Sequence, residues 1–328
     1  MRFGTFIPQG WRFDLVGIDP ADQWHAMSAL AQRADAGPWE SLWVYDHFHT
    51  TPVASQEATH EAWTLMAAFA ASTSRIRLGQ MCTCMGYRNP AYLAKVAATV
   101  DVISGGRAEM GIGAGWYQHE WEAYGYGFPE APERLKMLRE GVEIMRQAWT
   151  TGQATLDGTY YQVDGAIVQP QPLQDGGIPM WIAGGGEKVT LKIAAKYATY
   201  TNFTGTLEEF DHKSDVLRGH CDTLGRDFSE ITRSSNFDTI VGETEADAED
   251  RLAAVIARVR PFVQDEHADR IERGIRRSDG FGSVEQVTEK LARKGEHGLG
   301  YAIHYFPEAA YDTSGIELFE REVIPALS

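Results

Sequence analysis

Strand-like and helix-like segments alternate along this chain from end to end, and few folds accommodate that order. Short β-rich runs fall at Arg2–Ile7, Leu42–Tyr45, Ile76–Thr83, Arg107–Ile112, Met180–Ala183, Ala198–Phe203, Asn236–Val241 and Tyr301–Phe306. Each is followed by at least one segment of helical spacing, such as Leu93, Val96, Ala97, Val100 and Ile103. Helix starts are marked by Asp19-Pro20, by Asn89 as a cap ahead of Pro90, and by the capping-box patterns Thr206–Glu209 and Ser283–Gln286. Alternation of this kind implies a parallel sheet. Eight units favour closure into an α/β (β/α)8 TIM barrel, with an open doubly wound sheet as the alternative.

Three stretches break the alternation: Gly113–Pro132, Thr150–Pro179 and Pro261–Gly282. The barrel is therefore expected to carry insertions after its fourth, fifth and seventh strands. In the second stretch Asp157-Gly158 and Asp164-Gly165 flank Tyr160–Val163, which predicts a small hairpin. The third is charged and irregular. No linker, low-complexity tract or repeat appears, so residues 1–328 read as one domain with insertions.

The formal net charge is −16, from 46 acidic and 30 basic side chains, which argues against nucleic acid or an anionic membrane as partner. Cys82, Cys84 and Cys221 do not make a disulfide scaffold, and they suit a reducing cytoplasm. Cys82 and Cys84 lack a second ligand pair at metal-binding spacing, so no metal is expected. No apolar run reaches the length of a membrane span, and the first residues lack the pattern of a signal peptide.

In such barrels the loops after the strands carry the active site. The second strand stops at Asp46-His47, a carboxylate beside a group that exchanges protons near neutral pH. The bland alternative is that Asp46 caps a loop and His47 packs beneath it. The third strand ends in Met81-Cys82-Thr83-Cys84, small, neutral and sulfur-bearing: a surface for a flat ring, or ordinary core. The fourth leads into Gly111-Ile112-Gly113-Ala114-Gly115-Trp116, where glycine permits close backbone approach or positive φ. The fifth ends in Ala183-Gly184-Gly185-Gly186 ahead of a helix, with Lys188 nearby. Bare backbone N–H groups at a helix start make a phosphate cradle; the alternative is a tight turn. His304 in the eighth strand reads as a core or supporting histidine.

Taken together these strand ends resemble the luciferase-like superfamily, and more closely its branch that uses the deazaflavin coenzyme F420. The stretches that carry the likeness are Trp43–Phe48, Arg75–Gly79, Tyr87–Pro90, Asp101–Arg107, Gly111–Trp116 and Ile178–Gly185. The resemblance implies a (β/α)8 barrel that binds a flavin or deazaflavin at its C-terminal mouth. By it, Asp46 and His47 match the pair near the ring, with His47 as catalytic proton carrier and Asp46 contacting the ring or orienting its partner. Met81, Cys82 and Thr83 would back the ring, and relatives carry a non-prolyl cis peptide at the position of Met81-Cys82. Ala183, Gly184, Gly185 and Gly186 match the cofactor-phosphate loop, and His119 falls where relatives place a polar residue near the ribityl chain or phosphate. The implied activity is hydride transfer between the deazaflavin C5 and a small unsaturated, carbonyl or imine substrate. An FMN-dependent monooxygenase is the alternative.

One departure bears on substrate. Sugar-phosphate dehydrogenases of this family carry Glu where this chain has Trp116. That weakens a sugar-phosphate assignment and favours an apolar substrate, as do the dense aromatics of Trp116–Phe128. Dimers are common among similar proteins, so the resemblance makes a homodimer possible, while the sequence itself does not fix the oligomeric state.

Overall fold

The computed structural model describes residues 1–328. The chain packs as two compact units: a terminal unit, Met1–Glu61 with Arg233–Ser328, and a central unit, Ala62–Thr232.

In the terminal unit the first core strand, Arg2–Phe6, lies parallel between the second, Ser41–Val44, and the eighth, Leu299–Tyr305. The eighth also pairs with the seventh, Thr232–Asp238. Ser41–Val44 is buried at every position, as expected of a parallel strand covered on both faces. The expected run Asn236–Val241 is two elements, not one. Thr239 still donates to the Tyr305 carbonyl, but Ile240 turns to the Gly280 carbonyl, and Ile240–Gly242 pairs with Phe281–Ser283. The partner changes at one residue, which hydrophobicity alone does not mark.

The stretch expected to be irregular, Pro261–Gly282, contains the helix Asp265–Arg276. Its charged face is laced by Arg276–Glu272 and by Arg260 with Asp265 and Asp269. Its apolar face packs Ala268 and Ile275 on Leu252, Val255 and Ile256. The helical spacing of Ala268, Ile271 and Ile275 was there to be read, but the charges hid it.

In the central unit the third strand, Arg77–Gln80, resumes as Thr83–Cys84, and both segments lie parallel to the fourth, Ala108–Gly113. The fifth, Met180–Ala183, pairs with the fourth and with the sixth, Tyr200–Asn202. Asp101 and Arg107 lock this unit. Asp101 accepts from Ala108 N, Leu173 N and the Gln174 amide, while Arg107 donates to the carbonyls of Ala70, Thr73, Ile76 and Ser104. A cation that satisfies several carbonyls is costly to lose.

The predicted hairpin is present as Gln153–Asp157 with Gln162–Ile167. Glu140 on the preceding helix, Ala131–Thr151, pins its turn by accepting from Thr159 N, Tyr160 N and Tyr161 N at 2.9–3.1 Å. The hairpin follows that helix and precedes the fifth strand. The fifth runs through residues 184–189 straight into the helix Thr190–Tyr197, so the insertion expected after it is absent. The loop after the fourth strand carries a short helix, Gln118–Ala123, that the sequence pattern did not show.

The predicted helix starts are in place. Asp19 caps Ala21 N, Asn89 caps Ala91 N and Tyr92 N, and Thr206 and Ser283 each complete a capping box. No helix is long and apolar enough to cross a membrane.

Candidate functional site

The terminal unit gathers titratable groups at its strand ends. Gln9, past the first strand, fixes the end of the second: its amide donates to the Tyr45 carbonyl at 2.8 Å and accepts from Tyr45 N at 2.5 Å. That hold precedes Asp46, which is buried, and His47, which is half-buried. The Trp11 ring lies parallel to the His47 ring, with centroids 4.2 Å apart. Tyr45 stacks on Phe6 at 4.2 Å.

The loop that carries Trp11 is itself tied down. Asp14 accepts from Gly10 N at 2.7 Å and from the Tyr305 hydroxyl at 2.8 Å. Arg12 pairs with Asp238 and sits over the Tyr305 ring. Burial raises the Asp14 carboxyl and holds the Tyr45 and Tyr305 hydroxyls well above the ordinary tyrosine range. For Arg12 burial is the largest single influence and lowers the pKa, but Asp238, Tyr45 and Tyr305 together outweigh it and the guanidinium is held charged.

His304 does not belong to this set. It is fully buried among Phe3, Phe237 and Phe319, its Nδ1 is 2.8 Å from Thr239 Oγ1, and burial lowers its pKa to about 3. It is a neutral core histidine.

The central unit's strand ends carry glycine and sulfur instead. A Cβ on Gly111 would fall 1.9 Å from the Gln80 carbonyl oxygen. One on Gly113 would fall 2.7 Å from Cys82 Sγ, and one on Gly115, where φ is +79°, 2.5 Å from Cys84 Sγ. The alternate glycines thus face the alternate residues 80, 82 and 84, as the two-residue strand period requires. Gly113 also brings Ala183 close, with the Ala183 carbonyl oxygen 3.4 Å from that Cβ position. Cys82, Gly113 and Ala183 therefore meet where the third, fourth and fifth strands end. The Met81–Cys82 peptide is cis. Thr83 is buried and donates to the Gln80 side chain at 2.8 Å.

The glycine triplet has three distinct settings. Gly184, at φ +114°, gives its N–H to the Asn202 carbonyl and so ends the sheet. A Cβ on Gly185 would meet Lys213 Cε at 2.7 Å, and one on Gly186 would meet Thr190 Oγ1 at 2.8 Å. The helix that follows, Thr190–Tyr197, has no side-chain cap. A side-chain-free backbone, an uncapped helix start and an adjacent ammonium together fit a phosphate group. Lys213 is 28 positions from Gly185, so sequence reading missed it; the helix Leu207–Leu224 delivers it.

His119 is exposed on the short helix Gln118–Ala123, 6.0 Å from Tyr117 by ring centroid. Tyr117 stacks on the exposed Trp116 at 5.2 Å. Trp11, Gln9, Asp14 and Tyr305 are further residues that sequence reading passed over. The loop of the first three matches no pattern, although Gly10-Trp11, an aromatic after a glycine at a strand end, was a usable signal.

Three comparisons bear on this arrangement. The luciferase-like monooxygenase family pattern matches residues 1–299. An F420-dependent glucose-6-phosphate dehydrogenase of Amycolatopsis mediterranei is 34% identical over 171 residues, which is 51% of this chain and 48% of that protein. The chain thus spans about half the length of the curated relatives it matches. Among solved structures, an F420-dependent secondary alcohol dehydrogenase in complex with an F420-acetone adduct is similar at TM-score 0.80 and 22% identity, over 100% of this chain and 99% of that one. A monooxygenase from Streptomyces bottropensis is similar at TM-score 0.80 and 18% identity, over 100% of both chains. These likenesses show the fold, a (β/α)8 barrel. The chain belongs to the luciferase-like monooxygenase family.

Proposed function

We propose that this chain is an F420-dependent oxidoreductase that exchanges hydride with a small, apolar unsaturated, carbonyl or imine substrate. The observation that carries the reading is the pairing of the family match with a relative named for F420, 34% identical over half of this chain. When bound, the deazaflavin supplies two-electron chemistry as hydride at its C5.

The chain's own residues take the remaining roles. Gly184, Gly185 and Gly186 offer backbone to a phosphate, and Lys213 and Lys188 offer charge. His119 is a polar contact toward the same end of the coenzyme. Met81, Cys82, Thr83 and Ala183 give a neutral surface for a planar ring. His47 carries the proton that accompanies hydride, and Asp46 orients it or meets the ring. The exposed Trp116, with the half-buried Tyr117 stacked on it, supports an apolar substrate. A homodimer and a cytoplasmic setting belong to the same reading; the free thiols of Cys82, Cys84 and Cys221 suit the latter.

The test is a titration of the purified protein with oxidised F420 and, separately, FMN, followed by tryptophan quenching. Tight F420 binding with weak FMN binding supports the reading. The reverse preference makes oxygen a substrate and moves the chain to the FMN-dependent monooxygenases.

A further inference from the structure

The loop after the first strand is held with unusual care for a segment that matches no motif. Gly10 has φ +98°, and a Cβ there would lie 1.8 Å from the Ala58 carbonyl oxygen. Phe13 is buried and sits at φ +60°, a costly conformation for a bulky side chain. Asp14 ties the loop to Gly10 and to Tyr305. The Trp11 carbonyl accepts from Thr51 N at 2.9 Å.

What these constraints fix is Trp11. Its side chain is 7% exposed, and its ring faces His47 in parallel at 4.2 Å. Its indole N–H is buried and meets no acceptor in the protein. An unmet buried donor costs about 1–3 kcal/mol, and indole nitrogens that are buried ordinarily find a partner. The neighbouring cation does not supply a reason for the cost. Arg12 lies over the Trp11 ring at 5.4 Å and is already matched by Asp238.

We propose that Trp11 is a substrate-specificity residue: its indole N–H receives a neutral acceptor oxygen, such as a ketone carbonyl, beside the proton-handling His47. The assignment rests on the hydride-transfer reading and narrows it, from unsaturated substrates in general to those that carry oxygen at the reacting end. A plain alkene leaves the donor unmet. A carboxylate is disfavoured, because the adjacent Arg12 charge is already spent on Asp238.

The test follows the indole N–H signals of the nine tryptophans by NMR, with Trp11→Phe identifying the Trp11 signal. The F420-loaded protein is titrated with cyclohexanone, methylenecyclohexane and cyclohexanecarboxylate. Cyclohexanone should move the Trp11 signal downfield and saturate; methylenecyclohexane should not move it, and cyclohexanecarboxylate should bind more weakly. Trp11→Phe keeps an aromatic face for His47 and loses the donor, so calorimetry should show cyclohexanone affinity falling about tenfold with F420 affinity unchanged. A Trp11 signal that stays fixed with cyclohexanone means that no substrate oxygen reaches the donor, and overturns the proposal. So does equal cyclohexanone affinity in Trp11→Phe, or a preference for the carboxylate. The cofactor-free protein is titrated in parallel. If F420 fails to bind but the Trp11 signal still moves with cyclohexanone, the coenzyme reading falls and the oxygen-acceptor site stands.

Discussion

The terminal and central units use the same architecture, four parallel core strands with helices between them, and furnish their strand ends with opposite chemistry. The terminal unit ends its strands in Asp46, His47, Asp238 and Tyr305 and sets Arg12 and Asp14 in the loop beside them. The central unit ends its strands in Cys82, Gly113, Ala183 and the glycine triplet, where removing side chains brings backbone close to backbone. Parallel strands fix where a side chain emerges but not what it is. Under the proposed function, the difference assigns proton handling to one unit and a ligand's flat and anionic parts to the other.

The largest effect separates the two halves most sharply. His47→Ala is expected to lower turnover by about 10²-fold or more and to leave the F420 dissociation constant within a few-fold. Steady-state kinetics beside a quenching titration reads both. Unchanged turnover removes His47 from the mechanism, and a large loss of F420 affinity breaks the division of labour between the units.

A second effect, nearly as large, concerns stability and belongs to the terminal unit alone. Glu308 there is buried, its carboxyl oxygens meet no donor from another residue, and burial raises its pKa to about 7 from 4.5. The folded chain therefore holds a proton that the unfolded chain releases between those values. Stability falls as pH rises through that window and levels off above it, a loss of up to about 3 kcal/mol. Glu308→Gln should remove this contribution, so that from about pH 5 to about pH 8 its urea midpoint rises relative to that of the parent chain. His304 runs the other way: burial lowers it to about 3, so its contribution is lost as pH falls below 6.5. Equal slopes in Glu308→Gln and the parent chain would show that the buried carboxyl does not control the loss.

Next in size is the central unit's counterpart. Gly185→Val puts a side chain where Lys213 lies. It should weaken F420 binding about tenfold, the worth of one charge-assisted hydrogen bond, with turnover at saturating coenzyme little changed. If affinity is untouched, the phosphate cradle is elsewhere.

These residues also show what the sequence could and could not disclose. The eight core strands and four helix caps were legible because they depend on neighbours a few positions away. The Gly111-Ile112-Gly113-Ala114-Gly115 run was legible as a demand for close approach, but its partners 80, 82 and 84 follow from strand register, which the sequence does not print. Lys213 beside Gly185 and Trp11 beside His47 are products of the fold, and no local pattern joins them. The reverse error came from charge: Asp265–Arg276 looked irregular because ion pairs on one face masked the apolar spacing on the other.

The smallest predicted effect is the control on the whole comparison. Each unit carries one capping box with matched geometry. In the central unit Thr206 N donates to Glu209 at 2.8 Å, and Glu209 N returns to Thr206 Oγ1 at 3.2 Å. In the terminal unit Ser283 N donates to Gln286 at 2.9 Å, and Gln286 N returns to Ser283 Oγ at 3.3 Å. Thr206→Ala and Ser283→Ala each remove one acceptor from an otherwise unmet helix N–H, so each should cost about 1 kcal/mol in urea unfolding. Neither cap touches the strand-end groups, so F420 affinity and turnover should hold in both variants. Equal small losses would mean that the two units answer alike wherever their local chemistry is alike. The contrast between His47 and Gly185 then belongs to the strand ends. If one cap proves several times costlier than its twin, the units differ in underlying stability, and the strand-end comparison must be corrected for that difference.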